Sequence, residues 1–243
     1  MAAPKQRHRT IRDPAQPEPI LEATSFLPPI HPDAPLLTAG QRAQLAAIAT
    51  RLQVAPRAVL YREDTAATLV FIVAEGVVKA FKDLPSGRQW VTAFLHPADV
   101  FGLAENGRYI RTAQAITHAT LYQFKIDVLI ETLKEDAELQ FKFLCKLTHE
   151  VREAQRQTIV IGRRDAVGRL AMFIREIERQ HAGSRDIALP MSRSDIASYL
   201  GLSPESLSRA SRALERRGIV CFPSRHSVRI VDPAQFERIE SRL

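Results

Sequence analysis

Cysteine is scarce: the 243-residue chain has only Cys145 and Cys221. No C-x-x-C pair or Cys/His zinc spacing occurs, which excludes a disulfide framework and a structural zinc and fits a reducing cytosol. Long apolar runs are also missing. The best, Thr68–Val78, is broken by Glu75 and Gly76, far short of the roughly 20 residues that span a bilayer. Met1 to Thr10 is basic but lacks the apolar stretch of a secretory signal. No P-loop, dinucleotide glycine motif, nucleophile elbow or metal-ligand pair appears, and the acidic residues scatter over expected helix faces. These absences point away from an enzyme, a metal site and a membrane protein, toward a soluble cytoplasmic binding protein without a cofactor.

What is present is an uneven basic charge. The net charge of +7 includes +4 over residues 35–126 (10 Lys and Arg against 6 Asp and Glu) and +3 over residues 192–243 (9 against 6). A basic C-terminal piece suits a polyanionic partner, although a surplus this small also fits a plain soluble surface. Residues 1–34 hold seven prolines and no periodicity and read as a tail. Leu36, Leu37, Leu45, Ile48 and Leu52 then suggest a short helix. Between Arg57 and Phe124, short runs of Val, Leu, Phe and Tyr alternate with turn signals. Pro85-Ser86-Gly87 sits at one hairpin tip, so residues 35–126 are expected to form a β-roll.

Residues 127–164 turn helical, with Leu139, Phe143, Leu147, Val151, Ala154 and Ile161 at helical spacing. Such a stripe is either a seam between two subunits or the side packed on the chain's own β-domain. Its length favours a homodimer. Gly162 to Asp165 marks a hinge, and Leu170, Phe173, Ile174 and Ile177 form another amphipathic helix ending near His181–Gly183.

The informative stretch is Ser192–Gly218. Ser192 can cap a helix carrying Ile196, Ala197 and Leu200. Gly201-Leu202-Ser203 makes a tight turn, Ser203 caps a second helix, Pro204 suits its first position and Gly218 ends it. Two short helices around a glycine turn predict a helix-turn-helix. Leu207, Ala210 and Leu214 face inward, whereas Glu205, Ser208, Arg209 and Arg212 share the other side. Arg can donate twice to guanine and Glu can accept from cytosine, so Glu205, Ser208 and Arg209 are the expected base readers. Arg212, Ser192, Arg193 and Ser203 are the expected phosphate contacts. Ile219–Phe222 and Ser227–Val231 around a polar tip read as a wing, with Arg225 and His226 placed to meet phosphate. Residues 165–243 are therefore a winged helix-turn-helix, and the fold class is α+β.

The chain resembles the Crp–Fnr family of bacterial regulators. The resemblance rests on Val73-Ala74-Glu75-Gly76-Val77-Val78-Lys79, on Phe94 to Gly102 and on Leu189 to Leu202. It implies a cyclic-nucleotide-binding-like β-roll, a long dimerisation helix and a C-terminal winged helix-turn-helix. Glu205-Ser206-Leu207-Ser208-Arg209 matches the E-x-x-S-R pattern of Fnr-like and FixK-like members. That implies a TTGAT-type inverted repeat, double-stranded DNA and RNA polymerase as partners, and an activator in oxygen-responsive control. Pro204 departs from the residue usual before this glutamate, which bears on the outermost base.

Three signals compete in the β-roll. Fnr holds an iron–sulfur cluster through N-terminal cysteines, and this chain has none before Cys145. Cyclic-nucleotide members carry Gly-Glu and then Arg-Ser/Thr-Ala. Here Gly102 is followed by Leu103, while Arg111-Thr112-Ala113 keeps the second half. A vestigial pocket at Gly102, Arg111 and Thr112 is expected, with Glu105 the alternative ribose acceptor. His96 and His118 are the candidate haem ligands. The alternative to a FixK-like regulator working without an effector is thus one that needs a cyclic nucleotide or haem. Cys221, in the wing, is a candidate redox switch, and Cys145 is expected to pack on the long helix.

Overall fold

The computed structural model describes residues 38–163, 165–180 and 186–240. The expected tail, Leu36, Leu37, Arg164 and His181–Gly183 lie outside them. Helix α1 (Ala39–Ile48) opens with a capping box. The Thr38 hydroxyl accepts from the Gln41 N–H at 3.1 Å, and the Gln41 side chain accepts from the Thr38 N–H.

Ten strands follow: β1 (Thr50–Val54), β2 (Val59–Tyr61), β3 (Leu69–Glu75), β4 (Val78–Asp83), β5 (Gln89–Leu95), β6 (Val100–Phe101), β7 (Ala104–Glu105), β8 (Arg108–Tyr109), β9 (Thr112–Ala115) and β10 (Ala119–Lys125). They build two antiparallel four-stranded sheets, ordered β1-β10-β3-β6 and β2-β9-β4-β5, and a small β7-β8 hairpin. Phe71, Val73, Val78, Ala80, Leu95 and Leu121 alternate inward from both sheets to fill the roll. Leu52 belongs to β1 and not to the preceding helix. One residue, the extended Ala49, separates the two elements.

The single helix expected over 127–164 is two helices, α2 (Ile126–Glu135) and α3 (Ala137–Gly162). Asp136 leaves helical geometry at φ −130° and ψ 96°, and its carboxylate accepts the Leu139 N–H at 2.9 Å as the cap of α3. The expected dimer stripe also needs correcting. Leu139 (0% exposed) and Phe143 (7%) lie in the chain's own core with Leu45, Val70, Phe124 and Leu129. They have no surface left to offer a second copy. The apolar side of α3 that faces solvent is Phe141, Leu144, Val151 and Ile159. Of the expected stripe, Val151 and Ala154 are exposed, and Leu147 and Ile161 are half-buried.

After Arg163 come α4 (Ala166–Gln180), β11 (Ile187–Ala188), α5 (Arg193–Tyr199), α6 (Pro204–Arg216), β12 (Val220–Ser224), β13 (Ser227–Ile230) and α7 (Pro233–Glu240). One core joins Leu170, Ile174, Ile196, Leu200, Leu207, Leu214, Val228 and Phe236. The sheet order is β11-β13-β12.

Candidate nucleic-acid interface

Local chemistry sets the two helices of the reader. The Ser192 hydroxyl accepts from the Asp195 N–H at 3.0 Å and donates to the Asp195 carboxylate at 2.7 Å, which fixes the start of α5. Gly201 turns the chain at φ +62°, a left-handed conformation that a side chain resists. The Ser203 hydroxyl caps α6 by accepting from the Ser206 N–H at 3.2 Å, and Pro204 takes the first helical position.

The faces of α6 divide as the sequence suggests. Leu207, Ala210 and Leu214 are buried, Glu205, Arg209 and Arg212 are exposed, and Ser208 is half-buried between them. The Glu205 carboxyl is held below the usual carboxylate range by its own backbone N–H, then by the Ser203 hydroxyl and by Arg209. It therefore stands ionised at neutral pH, as an acceptor should. Arg209 Nη2 donates to the Ser206 hydroxyl at 3.0 Å, which parks the guanidinium on the exposed side of the helix.

The wing is shorter at its tip than expected, because Pro223 and Ser224 are already strand. Ser224 pairs with Ser227, leaving Arg225 and His226 exposed at the turn. The His226 backbone also bonds Ser224 and Leu189, so the tip is tied to β11. Arg193 differs from the other expected phosphate contacts. Its guanidinium lies 4.5 Å from the Phe222 ring centroid and donates to Ser211 Oγ at 3.1 Å. It thus braces α5, α6 and the wing together, and burial pulls its pKa down.

Two working residues escaped the sequence reading. Arg169 on α4 donates through Nε to the Arg163 carbonyl at 2.7 Å and through Nη1 to the Leu200 carbonyl at 3.0 Å, tying the hinge to the end of α5. A charged residue within the apolar run of α4 was the available signal. Ser198 on α5 bonds the edge of β5. Nothing in its local sequence separates it from a solvated serine.

With this geometry in view, the chain matches the Crp-like helix-turn-helix domain over residues 168–239 and the cyclic nucleotide-binding domain over residues 51–136. It is 31% identical to the transcriptional activatory protein AadR of Rhodopseudomonas palustris, across 79% of this chain and 82% of that protein. It is also 31% identical to the nitrogen fixation regulation protein FixK of Azorhizobium caulinodans, across 81% and 82%. The structure of FixK2 from Bradyrhizobium japonicum superposes with a TM-score of 0.75 at 31% identity, covering 81% of this chain and 99% of that one. The chain is a FixK-like member of the Crp/Fnr family. It is a transcription regulator with a helix-turn-helix that binds DNA. Among its described residues, no helix is long and apolar enough to cross a membrane.

In this FixK-like regulator Gly102 and Thr112, at the corner that keeps part of the cyclic-nucleotide motif, are buried, and Arg111 is half-buried. Gly102 sits at φ +86°, where an added Cβ would come within 3.0 Å of the Leu69 carbonyl and 3.1 Å of the Phe71 ring. The loop after it is the β7-β8 hairpin, turned by Asn106 (φ 52°) and Gly107 (φ 73°). Glu105 lies in β7. Tyr109 leaves this hairpin to stack on Tyr61 at 3.8 Å between ring centroids, and its hydroxyl donates to the Leu69 carbonyl at 2.9 Å. The buried Thr112 hydroxyl accepts from the Glu63 N–H at 3.0 Å, and Arg111 reaches Thr92 at 3.4 Å.

Arg111 borders a cavity of about 120 Å³ that also contains Asp99, Glu153 and Glu176. Burial, and then the nearby Glu176 charge, raise the Glu153 pKa. His96 is buried in the turn after β5, and His118 is exposed on the separate turn before β10. Cys221 is half-buried and sits opposite Arg229 in the wing, and Cys145 is half-buried on α3 against the β-domain core.

Proposed function

We propose that this FixK-like regulator binds a TTGAT-N4-ATCAA-like palindrome as a homodimer and controls oxygen-responsive genes, chiefly as an activator, without a bound cofactor. The observation that carries the reading is the outer face of α6. There an ionised Glu205, Ser208 and Arg209 share one exposed side at the N-terminal half of a capped helix, where a recognition helix meets base edges. Ser192, Ser203, Arg212, Arg225 and His226 surround that face as phosphate contacts, with Arg193 bracing the assembly from behind.

The exposed apolar side of α3 supports the dimer, since it presents a seam to a second copy. Two readers would then sit about one DNA turn, roughly 34 Å, apart. RNA polymerase is the expected downstream partner, and the cytoplasm its place of action. The ligand-free reading is supported by the corner at Gly102, Arg111 and Thr112. The Thr112 hydroxyl is taken by the Glu63 N–H, and Leu103 stands after Gly102 where the cyclic-nucleotide pattern has its glutamate. The names of two relatives, an activatory protein and a nitrogen fixation regulator, support the activator role and the regulatory setting.

The test is a gel-shift titration of the as-purified protein at about 0.15 M salt, on the palindrome and on a scrambled duplex, because affinity depends steeply on salt. The expected result is tight, selective binding without added ligand. Equal affinity for both duplexes would refute the half-site. Selective binding that appears only with cAMP or haem would refute the ligand-free reading.

A further inference from the structure

The two domains meet along β5, and the contact has a definite chemistry. In the sheet order β2-β9-β4-β5 this strand is an edge, whose outward N–H and C=O groups need partners. Side chains from two helices supply them. The Ser198 hydroxyl of α5 donates to the Gln89 carbonyl at 2.7 Å and accepts the Val91 N–H at 2.9 Å. Gln157 of α3, itself buried, donates to the Val91 carbonyl and to the Tyr199 carbonyl, both at 3.2 Å. One turn before Ser198, on the same side of α5, Asp195 meets Lys79 Nζ of the neighbouring strand β4 at 2.7 Å. The two side chains are 19% and 10% exposed. A buried pair of this kind adds little net stability, but it penalises every arrangement that leaves one charge alone, so it selects an orientation. Phe94 of β5 packs on Tyr199 at 5.1 Å between ring centroids and closes the contact.

The docking leaves the reading side open, because Glu205, Arg209 and Arg212 stay exposed while α5 is held. We infer that Lys79 and the edge of β5 are positioning elements for DNA binding, a fixed mount that holds α5, and through it α6, in the DNA-competent orientation. This rests on the ligand-free reading above, and it explains how a domain built like a sensor serves a regulator that needs no effector. The mount carries its own reporter. Trp90, the only tryptophan, lies between Gln89 and Val91 and is 40% exposed.

The experiment compares full-length wild type, Ser198→Ala, Lys79→Met and Lys79→Arg. It reads operator affinity without ligand, acrylamide quenching of Trp90, and Tm. Losing the two Ser198 hydrogen bonds lowers the fraction of correctly oriented readers, which should weaken operator binding about tenfold and raise Trp90 quenching. Lys79→Met should do the same, and Lys79→Arg should restore most of the affinity. A mere loss of packing would lower Tm without rescue by arginine.

Should Lys79→Met fail to fold, Ser198→Ala, which removes a single oxygen, still decides. Variants that bind as well as wild type would overturn the mount. Variants that bind more tightly would make the docking inhibitory and overturn it too. Failure of the wild type itself to bind without ligand would remove the reading beneath, an outcome distinct from a wild type that binds and variants that match it.

Discussion

Helices α3 and α6 each have one side built into the chain and one side left to solvent, and the two solvent sides differ in kind. On α6 the open side is charged and polar: Glu205, Ser208, Arg209 and Arg212. On α3 it is apolar: Phe141, Leu144, Val151 and Ile159, each more than half exposed on the latter helix. The inward side of α6 is apolar except for Ser211, whereas that of α3 mixes Leu139 and Phe143 with Lys142, Lys146 and Gln157, all buried. The open side of a helix thus indicates the partner. A polar, partly cationic face suits a nucleic acid, and an exposed apolar stripe suits another apolar stripe.

The largest expected effect comes from putting charge into the apolar stripe. Leu144→Asp combined with Val151→Asp should dissociate the proposed dimer in sedimentation and weaken binding to the proposed palindrome by roughly 10²–10⁴-fold, the gain lost when two linked sites become one. The inner side gives the control. Leu139→Ala should cost about 2–5 kcal/mol of stability through the cavity it leaves, with the association state unchanged. If Leu139→Ala dissociated the protein and the double aspartate variant did not, the two faces of α3 would have to be exchanged.

The same contrast explains what was legible in the sequence. On α6 the helical period and the residue chemistry agree, so caps, turn and both faces could be read from Ser192 to Gly218. On α3 they conflict. Lysines are normally surface markers, yet Lys142 is buried against Gln41 and Glu138, and Lys146 against Asp99. With charge inside and leucine outside, an apolar stripe drawn every four residues drifts from the buried side at Leu139 to the open side at Val151. Glu138 is a local partner, four residues before Lys142, but Gln41 of α1 and Asp99 of the turn after β5 come from afar and no local pattern reveals them. The break at Asp136 was legible in principle, because aspartate is a good helix cap, but it sits inside an otherwise continuous periodic run. The roll itself was visible as alternating short strands. Its shortest strands, β6 to β8, were not, because two residues carry no period.

An intermediate effect is expected on the polar face. Arg209→Ala should cost about 1–3 kcal/mol of operator binding and relax preference at one base pair, measured by titrating duplexes changed at each half-site position. A uniform loss across all positions would instead make Arg209 a phosphate contact.

The smallest expected effect separates two arginines that look alike in sequence. Arg212 is exposed on the open side of α6, whereas Arg193 is half-buried over Phe222 with its guanidinium on Ser211. A phosphate contact releases counterions when it forms, so its removal lowers the slope of log affinity against log salt by about 0.9. Arg212→Ala should show that change with an unaltered Tm. Arg193→Met should lower Tm and weaken binding, because the brace between α5, α6 and the wing is lost, while the salt slope of the remaining contacts stays the same. If both variants lowered the slope equally, Arg193 would leave Phe222 on DNA and meet phosphate directly, and the brace would belong only to the unbound protein.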